Sequence, residues 1–199
     1  MNTDTLCGCD ADFFSIPQQN KVLQSLSISS LCIYSSWCRF FVIVAPPATH
    51  VGSEKQCSAQ TYQRRGWCRL EQMARICAAG LEGIYLYSDE GHDRNELRPV
   101  KDLTCEANKE SLQRSTSRHD ETYSWHEDSI RVFDGEFTME SDKAKLVDTM
   151  LALWASVLYN QDSADNRQLV QLVNAHKAEV FPTEFFGDVS RSRARTVEF

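Results

Sequence analysis

The sequence predicts an α/β fold with a parallel sheet, and three observations lead to that prediction. Residues 40–45, Phe-Phe-Val-Ile-Val-Ala, form an apolar, partly β-branched run of the kind found in strands buried on both faces of a parallel sheet. A second short apolar run covers residues 83–87, after an amphipathic segment at 62–79. Helical and strand patterns therefore alternate, and right-handed crossovers would place helices on both faces of the sheet.

Composition and charge exclude several classes of protein. The chain has 199 residues, of which 42% are apolar, so it can form one domain with a hydrophobic core. Residues 89–142 carry 7 basic and 15 acidic side chains, which argues against nucleic-acid binding there. No run of 18 apolar residues predicts a membrane span, and residues 1–9 lack the pattern of a secretory signal. We therefore expect a cytoplasmic protein whose eight cysteines are mostly free thiols, with no membrane or nucleic-acid partner.

The first half of the chain contains two helical patterns. Apolar residues recur at helical spacing over residues 18–36, after a strand that is expected to end at 13–14. Pro46 ends the strand at 40–45, and residues 48–61 read as a polar loop. A helix follows at 62–79, and Gly80 is placed to end it.

The second half begins with a polar insertion at 88–128, with a short helix at 105–113. Residues 130–133 read as an edge strand that is turned by Asp134-Gly135. Ser141 or Thr138 is expected to cap a helix at 139–159, and another helix spans 164–180. The basic segment 190–195 reads as a disordered tail.

The sequence contains no complete metal-binding motif and no nucleotide-binding motif. Cys7-Gly8-Cys9 is at most half of a metal site, and no second cysteine pair accompanies it, so no metal site is predicted. The five histidines fall in no arrangement that resembles a catalytic triad. Neither a phosphate-binding loop nor a glycine-rich dinucleotide motif is present.

The most informative stretch is residues 62–71, Tyr-Gln-Arg-Arg-Gly-Trp-Cys-Arg-Leu-Glu. It places a carboxylate, Glu71, beside an aromatic residue at the start of a helix, just beyond a predicted strand. In open α/β sheets, ligands bind at the ends of such strands. Two interpretations of Glu71 stay open. It is either a catalytic carboxylate or a helix residue that pairs with Arg75. Trp67 and Cys68 likewise suit a packed core.

This stretch resembles the corresponding helix of TIR (Toll/interleukin-1 receptor) and TIR-like domains. Three blocks carry the resemblance to a microbial and algal set of these domains: Ser-Ile-Pro-Gln at 15–18, Phe-Val-Ile-Val-Ala-Pro-Pro at 41–47, and residues 62–71. Phe-Asp-Gly-Glu-Phe-Thr at 133–138 is a fourth, weaker block.

The resemblance implies a three-layer, flavodoxin-like sheet flanked by helices. It covers residues 12–160, with the insertion at 88–128; residues 1–11 are then an irregular N-terminus, and 161–199 a C-terminal helix and tail. TIR domains open with a further strand and helix, so the resemblance also implies that the first strand–helix unit is lacking.

The resemblance to enzymatic TIR domains implies that NAD is a substrate, cleaved at its nicotinamide–ribose bond, with no resident cofactor. Glu71 would stabilise the oxocarbenium-like state. Trp67 would pack beside the nucleotide, and Arg64, Arg65 and Arg69 would meet its pyrophosphate. The alternatives are a non-catalytic TIR-like module that binds other copies or other TIR-like domains, and a truncated inactive fragment.

Overall fold

The computed structural model describes residues 17, 19–51, 53–87, 97–101 and 125–187, and these residues form a mixed α/β structure. Helices predominate, and a single hydrophobic cluster connects them with the strands. The predicted strand end at 13–14, the short helix at 105–113 and the basic tail at 190–195 lie outside the described residues.

The first described helix, α1, spans Lys21–Trp37 and confirms the helix predicted at 18–36. Asn20 caps it, because its side-chain oxygen accepts hydrogen bonds from the backbone N–H groups of Val22 and Leu23, both at 3.1 Å. The helix ends where Cys38 adopts an extended backbone conformation. This leads the chain directly into the sheet.

The main sheet is mixed rather than wholly parallel. Strand β1 (Phe41–Val44) is followed by a small hairpin, β2 (Ala48–Thr49) and β3 (Gln56–Cys57), in the segment predicted as a loop. Strand β4 (Ile84–Tyr87) pairs in parallel with β1, as predicted, whereas β5 (Leu97–Pro99) pairs antiparallel to β4. The α/β class is therefore confirmed, and the prediction of a purely parallel sheet is wrong for the described strands.

The prediction that β1 is buried on both faces is also wrong. Ile43 is 1% exposed, but its neighbours Val42 and Val44 are each 45% exposed. Successive side chains of a strand point to opposite faces, so only one face of β1 enters the core. A continuous apolar run cannot distinguish this arrangement from burial on both faces.

The helix predicted at 62–79 consists of two helices. Helix α2 spans Ala59–Arg64 and begins at the capping residue Ser58. Arg65 then adopts φ −78° and ψ 126°, which breaks the helical path, and α3 follows as Gly66–Ala79. Gly80 ends α3 with φ 63°, which confirms the predicted stop.

The edge strand predicted at 130–133 is wrong. These residues form the end of helix α4 (Trp125–Ile130) and a 3₁₀ turn (Val132–Asp134). Ile130 and Val132 are fully buried, because this segment packs against α3 rather than joining the sheet. Gly135 ends the turn as predicted, donating its N–H to the Val132 carbonyl at 3.1 Å. A short apolar run does not by itself separate a strand from a buried turn.

The C-terminal helices are shorter than predicted. The helix expected at 139–159 is interrupted at Leu146, and the one at 164–180 is interrupted at His176. Neither Ser141 nor Thr138 caps the first of them, since its N-cap position is Glu140, which makes no side-chain cap bond. The helices are α5 (Ser141–Lys145), α6 (Val147–Tyr159), α7 (Ala164–Ala175), α8 (Lys177–Val180) and α9 (Thr183–Phe186).

Helix α3 is the centre of the structure. All its residues from Cys68 to Cys77 are buried, and the helix packs against α1, α2, α4, α6, α7 and the 3₁₀ turn. The Trp-Cys-Arg-Leu-Glu sequence therefore lies on the most enclosed helix of the described chain.

Candidate functional site

The start of α3 is held by the segment after the 3₁₀ turn. The backbone N–H of Glu136 donates to the Arg64 carbonyl at 2.7 Å, and the N–H of Gly66 donates to the Glu136 carbonyl at 2.9 Å. These two bonds satisfy backbone groups at the junction of α2 and α3. They fix the direction in which α3 enters the core.

Two glycines permit this contact. A Cβ atom on Gly135 would lie 2.4 Å from the Cα of Gly66, and one on Gly66 would lie 2.0 Å from the Phe137 ring. Neither distance is possible without displacement of the backbone or the ring. This contact leaves no local pattern in the sequence, because the two glycines are far apart along the chain.

Trp67 is half-buried and belongs to a small aromatic cluster. Its ring meets Phe137 edge to face, with centroids 6.0 Å apart, and Lys143 Nζ lies 5.7 Å from the centroid of the Phe137 ring. Such a contact holds Trp67 by packing. The arrangement fits the core reading of Trp67, and a half-buried ring still leaves an edge accessible.

Glu71 lies in the interior, on the side of α3 that approaches α1. It is 9% exposed. Its charge is close enough to Cys32 on α1 to raise the pKa of that thiol, which burial and Glu71 together bring to about 12, burial being the larger cause. The carboxylate of Glu71 therefore lies near the α1–α3 interface.

Arg69 is directed away from Glu71. It is 9% exposed, and its guanidinium donates to the carbonyls of Gln63 at 2.7 Å and Arg131 at 2.9 Å. Residues two apart on a helix do not face each other. Arg69 therefore ties α3 to α2 and to the residue between α4 and the 3₁₀ turn, on another side of the helix from Glu71.

Of the five residues predicted to handle NAD, the structure brings two to the same side of α3. Trp67 and Glu71 are four residues apart and share a face. Arg64 is exposed and Arg65 is half-buried at the α2–α3 junction. The carboxylate and the buried guanidinium of Arg69 thus do not converge on one ligand position.

If Glu71 is an ordinary helix residue, the sequence predicts that it pairs with Arg75, but the guanidinium of Arg75 hydrogen-bonds to other residues. Its guanidinium donates to the carbonyls of Glu82 at 2.7 Å and Arg39 at 3.4 Å. These bonds hold the loop before β4 and the end of α1 against α3. Arg75 therefore serves the packing of three elements.

A buried network of polar side chains was not predicted from the sequence. Gln72 Nε2 donates to Gln63 Oε1 at 2.8 Å, and Gln63 Nε2 donates to Ser129 Oγ at 2.9 Å. All three residues are at most 2% exposed. Glutamine at 63 and 72 reads as surface in the sequence, so only the packing of α2, α3 and α4 reveals the network.

The outward face of α1 exposes several large apolar side chains. The buried positions of this helix are Cys32 and Ser35, and Ser36 donates to the Ala74 carbonyl of α3 at 3.3 Å. The apolar side chains instead point outward, and the exposed set is Val22 (69%), Leu23 (48%), Leu26 (58%), Ile33 (53%), Tyr34 (70%) and Trp37 (86%). We call this set the α1 face.

Within the described residues, no group of three or more histidine, cysteine or carboxylate side chains is arranged to hold a metal ion. In the same part of the chain, no helix has the length and apolar character needed to cross a membrane. Comparison of the chain with protein-family models, curated proteins and solved structures finds no match.

Proposed function

We propose that this chain is a non-catalytic, TIR-like protein–protein interaction module that binds through the α1 face. The observation that carries the proposal is the orientation of α1. Cys32 and Ser35 face the core while six large apolar side chains face solvent, which is the reverse of a surface helix.

Burial of the exposed apolar side chains of α1 would favour the binding of a partner. Burying a large apolar side chain is worth about 1.5–3 kcal/mol relative to leaving it exposed. Trp37 is 86% exposed and Tyr34 is 70% exposed, so a partner that buried both side chains would gain most of that free energy. Contiguous apolar patches of this kind mark interaction surfaces.

The sheet adds a second unsatisfied surface next to α1. Phe40 is 58% exposed and its ring lies 6.1 Å from that of Tyr85, while Val42 and Val44 expose 45% each. Among the described strands, β1 has β4 as its one neighbour.

The TIR-like part of the proposal rests on the strand–helix–strand unit. Strands β1 and β4 are parallel and are joined through α3, which carries the Trp-Cys-Arg-Leu-Glu sequence. A three-layer, flavodoxin-like arrangement and a cytoplasmic location belong to the same proposal. The free thiols of Cys32, Cys38 and Cys77 support a reducing compartment.

NAD cleavage is the weaker candidate. A carboxylate that stabilises an oxocarbenium-like ribose must approach the sugar. Glu71 is 9% exposed and lies near Cys32 in a helix interface, and Arg69 is bonded to two carbonyls elsewhere. We therefore favour packing roles for these residues, and binding through α1.

The proposal is tested by photo-crosslinking in cells. A photoreactive phenylalanine analogue replaces Trp37, and a matched variant carries it at Gln168, which is exposed on α7. We expect position 37 to give intermolecular products that position 168 lacks. Equal products from both positions, or only intramolecular products from position 37, would refute an interaction surface on α1.

A further inference from the structure

We infer that the partner of the α1 face is a second copy of this chain, with the two α1 helices packed antiparallel. The inference rests on the proposed interaction function and adds the identity and geometry of the partner. It follows from the spacing, size and charge of the side chains on α1.

The spacing on α1 is that of a helix–helix seam. Exposed or half-buried positions at 23, 26, 30, 33 and 37 recur at intervals of three, four, three and four, which matches alternating a and d positions of a heptad. They are occupied by Leu23, Leu26, Ser30, Ile33 and Trp37. This stripe lies on the side of α1 opposite the buried Cys32 and Ser35.

The sizes of these side chains select an antiparallel pair. In that orientation, Leu26 faces Trp37 of the second copy, and Ser30 faces its Ile33. Large and small side chains then alternate across the seam, which fills space well. A parallel pair would set Trp37 against Trp37 and Ser30 against Ser30. The two large Trp37 rings would then collide, and the two small Ser30 side chains would leave a gap between the helices. A two-fold axis repeats each contact twice.

Charge and area also fit a second copy. Within α1 the one charged residue is Lys21 at its first position, so two helices meet without like-charge repulsion along the seam. The α1 face, with Phe40 beyond it, offers on the order of 800 Å² if a large side chain presents about 150–250 Å². One partner contributes about that area to interfaces of standard size.

Charge complementation tests the pairing by sedimentation equilibrium. Ser30→Glu and Ile33→Lys each place a charge in the seam, and we expect each variant alone to weaken the dimer at least about 30-fold. Mixed in equal amounts, they should form a heterodimer, because Glu at 30 then faces Lys at 33 of the other copy. Ser25→Glu, exposed on the side of α1 away from the stripe, is the control and should leave the dimer unchanged.

Three outcomes would overturn the inference. A wild-type chain that is monomeric at all concentrations excludes a second copy. Single variants that dimerise as tightly as wild type exclude the seam. A mixture that stays monomeric excludes the antiparallel register. The interaction function itself fails separately, since the crosslinks from position 37 report any protein partner, whatever its identity.

Discussion

Glu71 on α3 and Cys32 on α1 lie close together inside the protein, and the carboxylate adds to burial in raising the pKa of the thiol to about 12. This relationship places Glu71 on the side of α3 that faces α1. The surroundings of Glu71 are therefore determined by the side of the helix on which it lies, and the sequence motif alone does not reveal them.

The first prediction concerns NAD. We expect the purified chain to release no nicotinamide from NAD above the buffer rate, because Glu71 is only 9% exposed. Glu71→Gln should behave identically in a chromatographic assay. Release by wild type that disappears in Glu71→Gln would establish the hydrolase and refute a purely structural Glu71.

The second prediction concerns the glycine contact below α3. Gly66→Ala and Gly135→Ala should each lower the free energy of unfolding by at least about 1–3 kcal/mol, the usual cost of overpacking. A Cβ at either position meets other atoms at 2.0–2.4 Å. Urea unfolding measures the loss. Ser156→Ala, at an exposed position of α6, is the control and should change the free energy of unfolding by less than about 0.5 kcal/mol. Equal values for the glycine and control variants would contradict the close contact.

The third prediction concerns the buried polar network. Ser129→Ala removes the hydroxyl that accepts from Gln63 at 2.9 Å and donates to the Trp125 carbonyl at 2.6 Å. Gln72 Oε1 then loses the Ser129 hydroxyl at 3.0 Å, and Gln63 Nε2 keeps only its 3.3 Å bond to the Trp125 carbonyl, so we expect a loss of about 1–3 kcal/mol in the free energy of unfolding. Ser156→Ala, at an exposed position of α6, should change it by less than about 0.5 kcal/mol. Equal values for the two variants would show that the network contributes nothing.

The fourth prediction is a loss of stability in alkali. Burial raises the pKa of Cys77 from 9.0 to about 12, with Cys32 as the smaller cause, and Cys32 is raised to about 12 as well. The folded state therefore keeps both protons above pH 9 while the unfolded state loses them. The free energy of unfolding should fall as pH rises from 9 towards 12, by up to about 1.4 kcal/mol per pH unit for each thiol.

Urea unfolding under reducing conditions from pH 7 to pH 11 checks this slope. A variant with Cys32→Ala and Cys77→Ala will be less stable at neutral pH, because it leaves cavities. Its free energy of unfolding should nevertheless fall less steeply above pH 9 than that of wild type. Parallel curves for the two proteins would contradict the assigned cause.

The elements that the sequence predicted well are those with strong local signals. Helix α1, strands β1 and β4, and the glycine that ends α3 were all expected near their observed positions. Apolar periodicity and a C-terminal glycine are local properties, so a single sequence reveals them.

The remaining features depend on contacts between distant residues. Gly135 meets Gly66, and Gln72 bonds to both Gln63 and Ser129, so neither relationship leaves a local pattern. The half-exposed strand β1 and the reversed orientation of α1 depend on which face the core covers. The predicted NAD residues shared a short motif, but helical phase turns Arg69 away from Glu71.

The most direct test of an interaction surface on α1 is residue-resolved footprinting with a photoactivated carbene over a range of protein concentrations. We expect labelling of Leu26, Ile33 and Trp37 to fall as the concentration rises, while Tyr159, 89% exposed on α6, keeps constant labelling. Labelling of the α1 residues that is constant at every concentration would contradict self-association through this face.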